Sequence, residues 1–143
     1  MSKYILCDYA RSDWGKSQTL LKVIERLNEI ANPEIEEQIG DVDKFAVFII
    51  NGKKIVVNTQ GDPDSYQEEG LARAVTEKAD VIVCASRAKG STYECVKEYE
   101  NNDYEIIWFR NFYSETDNSL CKPYLLDDMA QAIVQLALKL LAL

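Results

Sequence analysis

The amino-acid sequence predicts an α/β fold: a three-layer sandwich in which helices cover both faces of a mainly parallel sheet of about five strands. Short apolar runs alternate with segments of helical periodicity, the order typical of such sheets. The run Val81-Ile82-Val83-Cys84 is apolar throughout, as expected of a strand covered on both faces. Asn51-Gly52 separates two further apolar runs and predicts one antiparallel hairpin. With 143 residues, 47% of them apolar, the chain fits a single domain.

The first half of the chain predicts a strand, a helix and the hairpin. Apolar residues at 4–7 indicate the strand, and apolar residues at helical spacing predict a helix over about 15–31. Asn32-Pro33 ends that helix, because proline cannot continue it. The two strands of the hairpin cover 45–50 and 55–57.

Acidic residues crowd the segment between the first helix and the hairpin, from Glu34 to Asp43. A charged segment of this kind is usually a solvated connection between elements, and we predict one here. Two alternatives stay open: a mobile lid, or a docking site for a cationic group.

The second half of the chain predicts three helices and two strands. Two Ser-x-x-Glu patterns, which begin at Ser65 and Ser91, are capping boxes that mark helix starts. In chain order we predict a helix from Ser65 to about 79, a strand at 81–84, a short helix from Ser91 to about 100, a strand at 104–109 and a last helix from Asp127 to the carboxyl terminus.

Composition excludes several classes of function. The net charge of −8 disfavours nucleic acid as a partner, because cationic contacts to phosphates dominate that binding. The chain has no histidine, which removes Ser-His-Asp triads, Cys-His pairs and most catalytic zinc sites. No signal-peptide pattern and no apolar run of about 18 residues is present, so we expect a cytoplasmic protein without a membrane partner. Four cysteines without paired spacing indicate reduced thiols.

Gly15-Lys16-Ser17 directly follows the first predicted strand and opens the first predicted helix. Amides at a helix N-terminus have no intrahelical partner, and the helix dipole favours an anion there. A lysine at the second position can reach outer phosphates, and the serine hydroxyl can bind Mg²⁺. We expect Lys16 to be solvated. The alternative is an ordinary helix start with Asp13 as its N-cap.

Residues 10–17 resemble the Walker A motif of the P-loop NTPase superfamily, Gly-x-x-x-x-Gly-Lys-Ser/Thr, with Ala10 at the first glycine position. The resemblance implies a P-loop NTPase-like fold over residues 1–143, a single domain that binds ATP or GTP with Mg²⁺. It implies that Lys16 bridges the outer phosphates and that Ser17 binds the metal. The phosphate-binding residues that it implies are Asp13, Trp14, Gly15, Lys16, Ser17 and Gln18.

Asn58-Thr59-Gln60-Gly61 ends the second hairpin strand and resembles the Asp-x-x-Gly switch of GTPases and their relatives. The resemblance implies that Gly61 contacts phosphate. Asn58 stands where the magnesium-organising aspartate is expected, and an amide supplies no negative charge. We therefore predict that Asp62 holds the ion and acts with Lys16 in catalysis. The alternative is that Gly61, Asp62 and Pro63 form a simple turn.

The loop from Ser86 to Thr92 contains two cations and a glycine, and it follows a strand predicted to neighbour the first strand. Ligands of open α/β sheets bind at the carboxyl ends of such strands. We predict that Arg87 stabilises charge on a transferring phosphoryl group or grips a small anionic second substrate. The alternative is a solvated, well-capped loop.

Three further features have two interpretations each. Asn111 follows the last core strand, where related GTPases read a base with an asparagine, but a plain loop start is the alternative. The aromatic residues among 108–113 either stack a base or belong to the core. The apolar last helix either packs on the sheet or forms a homodimer.

Together these patterns predict a Mg²⁺-dependent P-loop protein that hydrolyses a nucleoside triphosphate or passes its γ-phosphoryl group to a small acceptor. The alternative is a non-catalytic nucleotide or phosphate sensor, since Ala10 and Asn58 both depart from the motifs. A structural partner protein that acts through its last helix is the third hypothesis, and its stability would not respond to nucleotide.

Overall fold

The computed structural model describes residues 2–9, 15–62, 67–111 and 121–143. Within these ranges the chain forms six β-strands, four α-helices and one 3₁₀ turn at Glu98–Asn102. The strands are β1 (Lys3–Asp8), β2 (Pro33–Ile39), β3 (Asp43–Ile50), β4 (Lys53–Asn58), β5 (Val81–Ala85) and β6 (Tyr104–Phe109). The helices are α1 (Lys16–Ile30), α2 (Gln67–Thr76), α3 (Ser91–Lys97) and α4 (Lys122–Leu141).

One mixed sheet holds the six strands in the order β2-β3-β4-β5-β1-β6. The strands β4, β5, β1 and β6 run parallel, whereas β2, β3 and β4 pair antiparallel. The structure confirms the α/β class, the hairpin of β3 and β4, and the position of β5 beside β1. The described sheet has six strands where the sequence predicted about five.

The additional strand is β2, which lies within the acidic segment 34–43, so the prediction of a solvated connection was wrong there. Ile35 and Ile39 pack against the core while the intervening glutamates face solvent, as suits an edge strand. The Glu37 carboxylate accepts two hydrogen bonds from the Arg73 guanidinium of α2, at 2.6 and 3.0 Å. That guanidinium lies over the Phe45 ring, which ties β2 and β3 to α2.

Two predicted helix starts differ from the structure. The last helix begins at Lys122 rather than Asp127, because Pro123 suits the first turn of a helix instead of breaking it. The predicted capping box at Ser91 was wrong: Gly90 is the N-cap of α3 and no side chain caps it. The Thr92 hydroxyl instead accepts the Arg87 backbone N–H at 2.9 Å. The predicted cap at Ser65 lies outside the described residues.

Hydrophobic side chains form two clusters, one on each face of the sheet. Leu6 belongs to the first cluster and its neighbours Ile5 and Cys7 to the second, because successive residues of a strand point to opposite faces. The first cluster includes residues of α1 and α4, and the second includes residues of α2 and α3. Helices therefore cover both faces of the sheet.

The helices α1 and α4 lie side by side and run in the same direction. Lys22 pairs with Asp127 at 3.1 Å, and one turn further along Arg26 donates to the Gln131 side chain at 2.7 Å. Much of the apolar surface of α4 is buried in the first cluster, which is the packing interpretation of this helix. A homodimer through α4 stays a prediction. Among the described residues, no helix is long and apolar enough to cross a membrane.

Candidate functional site

The parallel strands β4, β5, β1 and β6 bring their carboxyl ends to one edge of the sheet. At this edge the backbone N–H of Ser86, after β5, donates to the Asp8 carbonyl of β1 at 3.0 Å. The backbone N–H of Tyr9, after β1, donates to the Phe109 carbonyl of β6 at 2.9 Å. Open α/β sheets bind their ligands at such an edge, and α1 begins beside it.

A cleft of about 410 Å³ opens at this edge. A volume of this size suits a small molecule or nucleotide. The lining combines the first turns of α1, the turn after β2, the residues that follow β4, the end of β5 and the first residue of α4. These residues are Gly15, Lys16, Ser17, Gln18, Leu21, Val42, Gly61, Asp62, Ala85 and Lys122. Six predicted phosphate or metal residues thus lie together around one cavity: Gly15, Lys16, Ser17, Gln18, Gly61 and Asp62.

Gly15 is the N-cap of α1 and has φ +80°, a left-handed conformation that favours glycine. A Cβ on Gly15 would also lie 3.1 Å from Leu126 of α4, so the backbone approaches that helix closely. No side chain of the described residues caps α1, and its first turn contains no acidic residue. The amides of this turn are therefore suited to an anion. Asp13 and Trp14, which were predicted to share the phosphate, lie outside the described residues.

Lys16 is only 4% exposed, so the expectation of a solvated lysine was wrong. Its Nζ donates to the Ser86 carbonyl at 2.7 Å, at the end of β5. Burial lowers the pKa of Lys16, and the negative charges of Asp62 and Asp8 oppose that effect. The ammonium group is thus held at the sheet edge by protein atoms, where desolvation strengthens its attraction for a bound anion.

Asp8 is a buried carboxylate that the sequence analysis did not single out. It is the last residue of β1, and its Oδ1 accepts the Asn111 backbone N–H at 3.2 Å. Its charge raises the pKa of Lys16. The available signal was a single acidic residue directly after an apolar strand, and such a residue usually faces solvent.

Ser17 and Thr59 connect α1 to the hairpin strands. The Ser17 hydroxyl donates to the Thr59 carbonyl at 3.2 Å. The Thr59 hydroxyl in turn donates to Asp43 at 2.7 Å and accepts the Lys44 backbone N–H at 3.0 Å. This chain of hydrogen bonds fixes the start of α1 relative to β3 and β4.

Gly61 and Asp62 follow β4 and close the cleft on the side of β5. A Cβ on Gly61 would lie 2.7 Å from the Ala85 Cβ, so the loop passes β5 at a distance that only glycine permits. Asp62 is half exposed, and its carboxylate lies 3.5 Å from the Arg87 Nε. The structure thus pairs two residues that were predicted separately, one as a metal ligand and one as a catalytic cation.

A metal ion at this site would depend on few protein ligands. The described residues contain no group of three or more aspartate, glutamate or cysteine side chains that could hold an ion. Ser17 and Asp62 both line the cleft and offer two oxygen ligands. This donor set fits Mg²⁺, which is commonly bound by one or two protein ligands together with substrate phosphates and water.

Asn58 and Asn111 are buried, and neither is among the described residues that line the cleft. The Asn58 side chain packs against α2, where a Cβ on Gly70 would lie 2.7 Å from its Cγ. Asn111 is buried and its side-chain amide donates to the Thr19 hydroxyl of α1 at 2.9 Å. This contact favours a packing role over base reading for Asn111.

The aromatic residues near the end of β6 stack on one another. The Trp108 ring stacks on Tyr93 with centroids 4.7 Å apart and meets the edge of Tyr9 at 5.5 Å. These contacts favour the core interpretation for Trp108. Phe109 packs against the first cluster, and Phe112 and Tyr113, the remaining two aromatic residues considered for base stacking, lie outside the described residues.

Four lining residues of the cleft were missed: Leu21, Ala85, Val42 and Lys122. They come from the second turn of α1, the end of β5, the turn between β2 and β3, and the first residue of α4. Only the position of β2 and the early start of α4 bring the last two to the cleft. The sequence did not predict either feature, because the acidic composition of β2 and the proline at position 123 are typical of loops.

No protein-family model matches the chain, and no curated protein or solved structure matches it significantly. The functional argument therefore depends on the geometry and charge of the cleft. Its strongest element is Lys16, a buried cation in the first turn of a helix that no described side chain caps.

Proposed function

We propose that the protein adopts a P-loop NTPase-like fold and binds ATP or GTP with Mg²⁺ in the cleft. In this proposal it hydrolyses the nucleotide or transfers its γ-phosphoryl group to a small acceptor. The observation that carries the proposal is Lys16: it is buried, lines the cleft and begins a helix whose first turn has no acidic residue. A cation in this position is hard to explain by stability alone, since burial of a lysine is unfavourable.

The phosphates would lie against the start of α1. The backbone amides of Lys16, Ser17 and Gln18 belong to the first turn, where amides have no carbonyl partner within the helix. The Lys16 ammonium would exchange or share its contact with the Ser86 carbonyl for a phosphate oxygen. Because the site is partly desolvated, this charge-assisted contact would be stronger than one in water.

Ser17 and Asp62 would hold Mg²⁺ beside the outer phosphates. Bound there, the ion would neutralise phosphate charge and polarise the γ-phosphoryl group. The Ser17 hydroxyl now donates to Thr59, and rotation about its side chain would turn an oxygen lone pair toward the cleft.

Arg87 supports a catalytic rather than a purely binding role. Its guanidinium is 46% exposed and pairs with Asp62 at the cleft. When Asp62 holds the metal, the guanidinium is released to approach the transferring phosphoryl group, whose charge it would stabilise. The same group would otherwise contact a small anionic second substrate.

A non-catalytic sensor is the second candidate, and Asn58 favours it. This residue occupies the position where the switch motif has aspartate, and its side chain packs against Gly70 of α2 instead of facing the cleft. A protein without that carboxylate would bind nucleotide while turning it over slowly or not at all.

Titration calorimetry and thermal unfolding with MgATP and MgGTP test the proposal. At one hundred times its dissociation constant the preferred nucleotide should raise the free energy of unfolding by about 2.7 kcal/mol. Lys16→Met should remove most of this effect, whereas Lys22→Met, on the same helix but outside the cleft, should retain it. If no nucleotide stabilises the wild-type protein, or if Lys16→Met binds equally well, the proposal is wrong. Binding without phosphate release or transfer would select the sensor.

A further inference from the structure

We infer that the part of the cleft between Leu21 and Val42 binds the phosphoryl acceptor, a small organic anion with an apolar body and a nucleophilic hydroxyl oxygen. The inference rests on the proposed function and names the second substrate of that site. It favours transfer over hydrolysis, because an apolar wall suits an organic molecule better than water.

Leu21 and Val42 are apolar residues that are not part of the hydrophobic core that the described residues form. Val42 is 65% exposed, although it lies in a turn flanked by acidic residues. Within the described part of the chain, neither residue belongs to the two hydrophobic clusters of the sheet. Both line the cleft, where burial by a ligand would remove their apolar surface from water.

The turn that carries Val42 is held in place by defined contacts. The Gln38 side-chain amide donates to the Gly40 and Asp41 carbonyls at 3.2 and 3.1 Å. On the other side of Val42, Asp43 accepts a hydrogen bond from the Thr59 hydroxyl. Val42 therefore belongs to an ordered wall of the cleft.

The same hydrogen bonds connect the turn of Val42 to Ser17, beside which the proposal places the reacting phosphate. Ser17, a metal ligand in the proposal, donates to the Thr59 carbonyl, and Thr59 also holds the turn of Val42 through Asp43. Since Mg²⁺ binds the outer phosphates, the γ-phosphoryl group would lie at the end of the cleft formed by Ser17 and Asp62. Val42 adjoins Asp43, which Thr59 connects by hydrogen bonds to Ser17, so a molecule held between Leu21 and Val42 would lie on the side of the cleft where the proposal places the γ-phosphoryl group.

Lys122 is the reason that we expect the acceptor to carry a negative charge. It lines the same cleft as the first residue of α4, and that first turn contains no acidic residue. Its ammonium would attract one carboxylate or phosphate of the acceptor. In the transfer, the acceptor oxygen forms a bond to the γ-phosphorus, and the bond to the bridging oxygen breaks and releases nucleoside diphosphate. The acceptor hydroxyl releases its proton to solvent.

Three probes of graded chemistry test the inference on the full chain saturated with Mg²⁺ and the non-hydrolysable analogue AMP-PNP. Mandelate has an apolar body, a hydroxyl and a carboxylate. Glycolate lacks the apolar body, and benzyl alcohol lacks the carboxylate. Methyl NMR of Leu21 and Val42 should report saturable mandelate binding, with glycolate at least tenfold weaker. Benzyl alcohol should bind more weakly than mandelate.

Matched variants locate the binding. Val42→Asp should weaken mandelate binding at least tenfold, and Val42→Ala should weaken it less. Ile49→Asp, at an exposed apolar residue outside the cleft, should leave it unchanged. Lys122→Gln should weaken mandelate and leave benzyl alcohol unaffected.

The outcomes distinguish a failure of the proposed function from a failure of the acceptor assignment alone. If the protein binds GMP-PNP but not AMP-PNP, the same probes are used with GMP-PNP; if neither analogue binds, the proposed function is wrong and the acceptor assignment falls with it. If AMP-PNP binds but Val42→Asp and Ile49→Asp affect mandelate equally, the acceptor assignment alone is wrong. Competition between mandelate and AMP-PNP would also overturn it, because the apolar wall would then contact the nucleoside.

Discussion

Lys16 and Arg87 are two cations of the same candidate site, and their surroundings differ sharply. Lys16 is buried in the first turn of a fifteen-residue helix, and its Nζ contacts the Ser86 carbonyl at 2.7 Å. Arg87 is the residue after Ser86; it is half exposed and forms an ion pair with the half-exposed Asp62 at 3.5 Å. The loop after β5 thus supplies the Ser86 carbonyl that holds Lys16, and it also contains Arg87.

The comparison separates a fixed charge from a movable one. Lys16 is held by a buried hydrogen bond before any ligand arrives, so little conformational entropy remains to be lost on binding. An exposed ion pair contributes about 0–1 kcal/mol, so Arg87 can leave Asp62 at small cost. We therefore expect Lys16 to act in nucleotide binding and Arg87 to act mainly in the transition state.

The largest expected effect is on catalysis by Arg87→Ala. If the guanidinium stabilises the transition state, kcat should fall about a hundredfold, or about 2.7 kcal/mol, with little change in nucleotide affinity. Steady-state kinetics and calorimetry measure the two quantities. Arg87→Lys should not restore the rate, because an ammonium lacks the bidentate geometry of guanidinium. Lys89→Ala, in the same loop, is the control, and equal kcat values in the two alanine variants would remove Arg87 from the site.

Lys16→Met should affect binding next most strongly. Loss of the charge-assisted phosphate contact should weaken nucleotide affinity by about 2 kcal/mol, roughly thirtyfold. Calorimetry with the preferred nucleotide measures this loss, and Lys22→Met is the control. A variant that kept its nucleotide affinity would contradict both the role that the comparison assigns to Lys16 and the proposed function.

Gly61→Ala should act on stability, because Gly61 packs against Ala85 at the end of β5, directly before the loop that contacts Lys16 and contains Arg87. The added Cβ would meet the Ala85 Cβ at 2.7 Å, and relief of this overlap should cost about 1.5 kcal/mol of unfolding free energy. Denaturant unfolding measures the change. Ala88→Gly, in the loop beyond Ser86, should have a smaller effect because Ala88 is only half-buried. Unchanged stability in Gly61→Ala would show that the loop can move away from β5.

The smallest expected effect is on the alkaline pH dependence of stability. Burial lowers the pKa of Lys16 in the folded protein below the ordinary value of 10.5. Between these two values the unfolded chain binds more protons, so this residue makes stability rise with pH in that window. The free energy of unfolding of the wild type should therefore rise relative to Lys16→Met as the pH approaches 10.5. Lys22→Met, which leaves Lys16 in its buried position, should run parallel to the wild type.

Much of the fold was predictable because its signals are local. The helix at 15–31 and the strand at 104–109 agree with α1 and β6, since apolar periodicity and helix-stopping residues act over a few positions. The strand β2 was missed because its apolar residues, Ile35 and Ile39, are separated by acidic residues that suggest a loop. Its stability comes from backbone pairing with β3, the next strand along the chain, and is not a property of the segment itself.

The candidate site shows the same division between local and distant causes. Gly15, Lys16 and Ser17 were recognisable because a strand, a glycine and a helix start are consecutive in the chain. The burial of Lys16, by contrast, depends on Ser86, seventy positions away, and on Asp8. The pairing of Arg87 with Asp62 joins loops that follow different strands. The spacing of residues along the sequence does not predict these two contacts.

The sequence by itself determined the α/β class, the hairpin at Asn51-Gly52 and the helix that begins after Gly15, because dihedral preferences and apolar periodicity are set by neighbouring residues. The tertiary structure alone decided which residues form the cleft. It placed β5 between β4 and β1, brought Val42 and Lys122 to the lining of one cavity, and removed Lys16 from water. These outcomes depend on strand order and helix packing, which arise from the burial of many side chains at once.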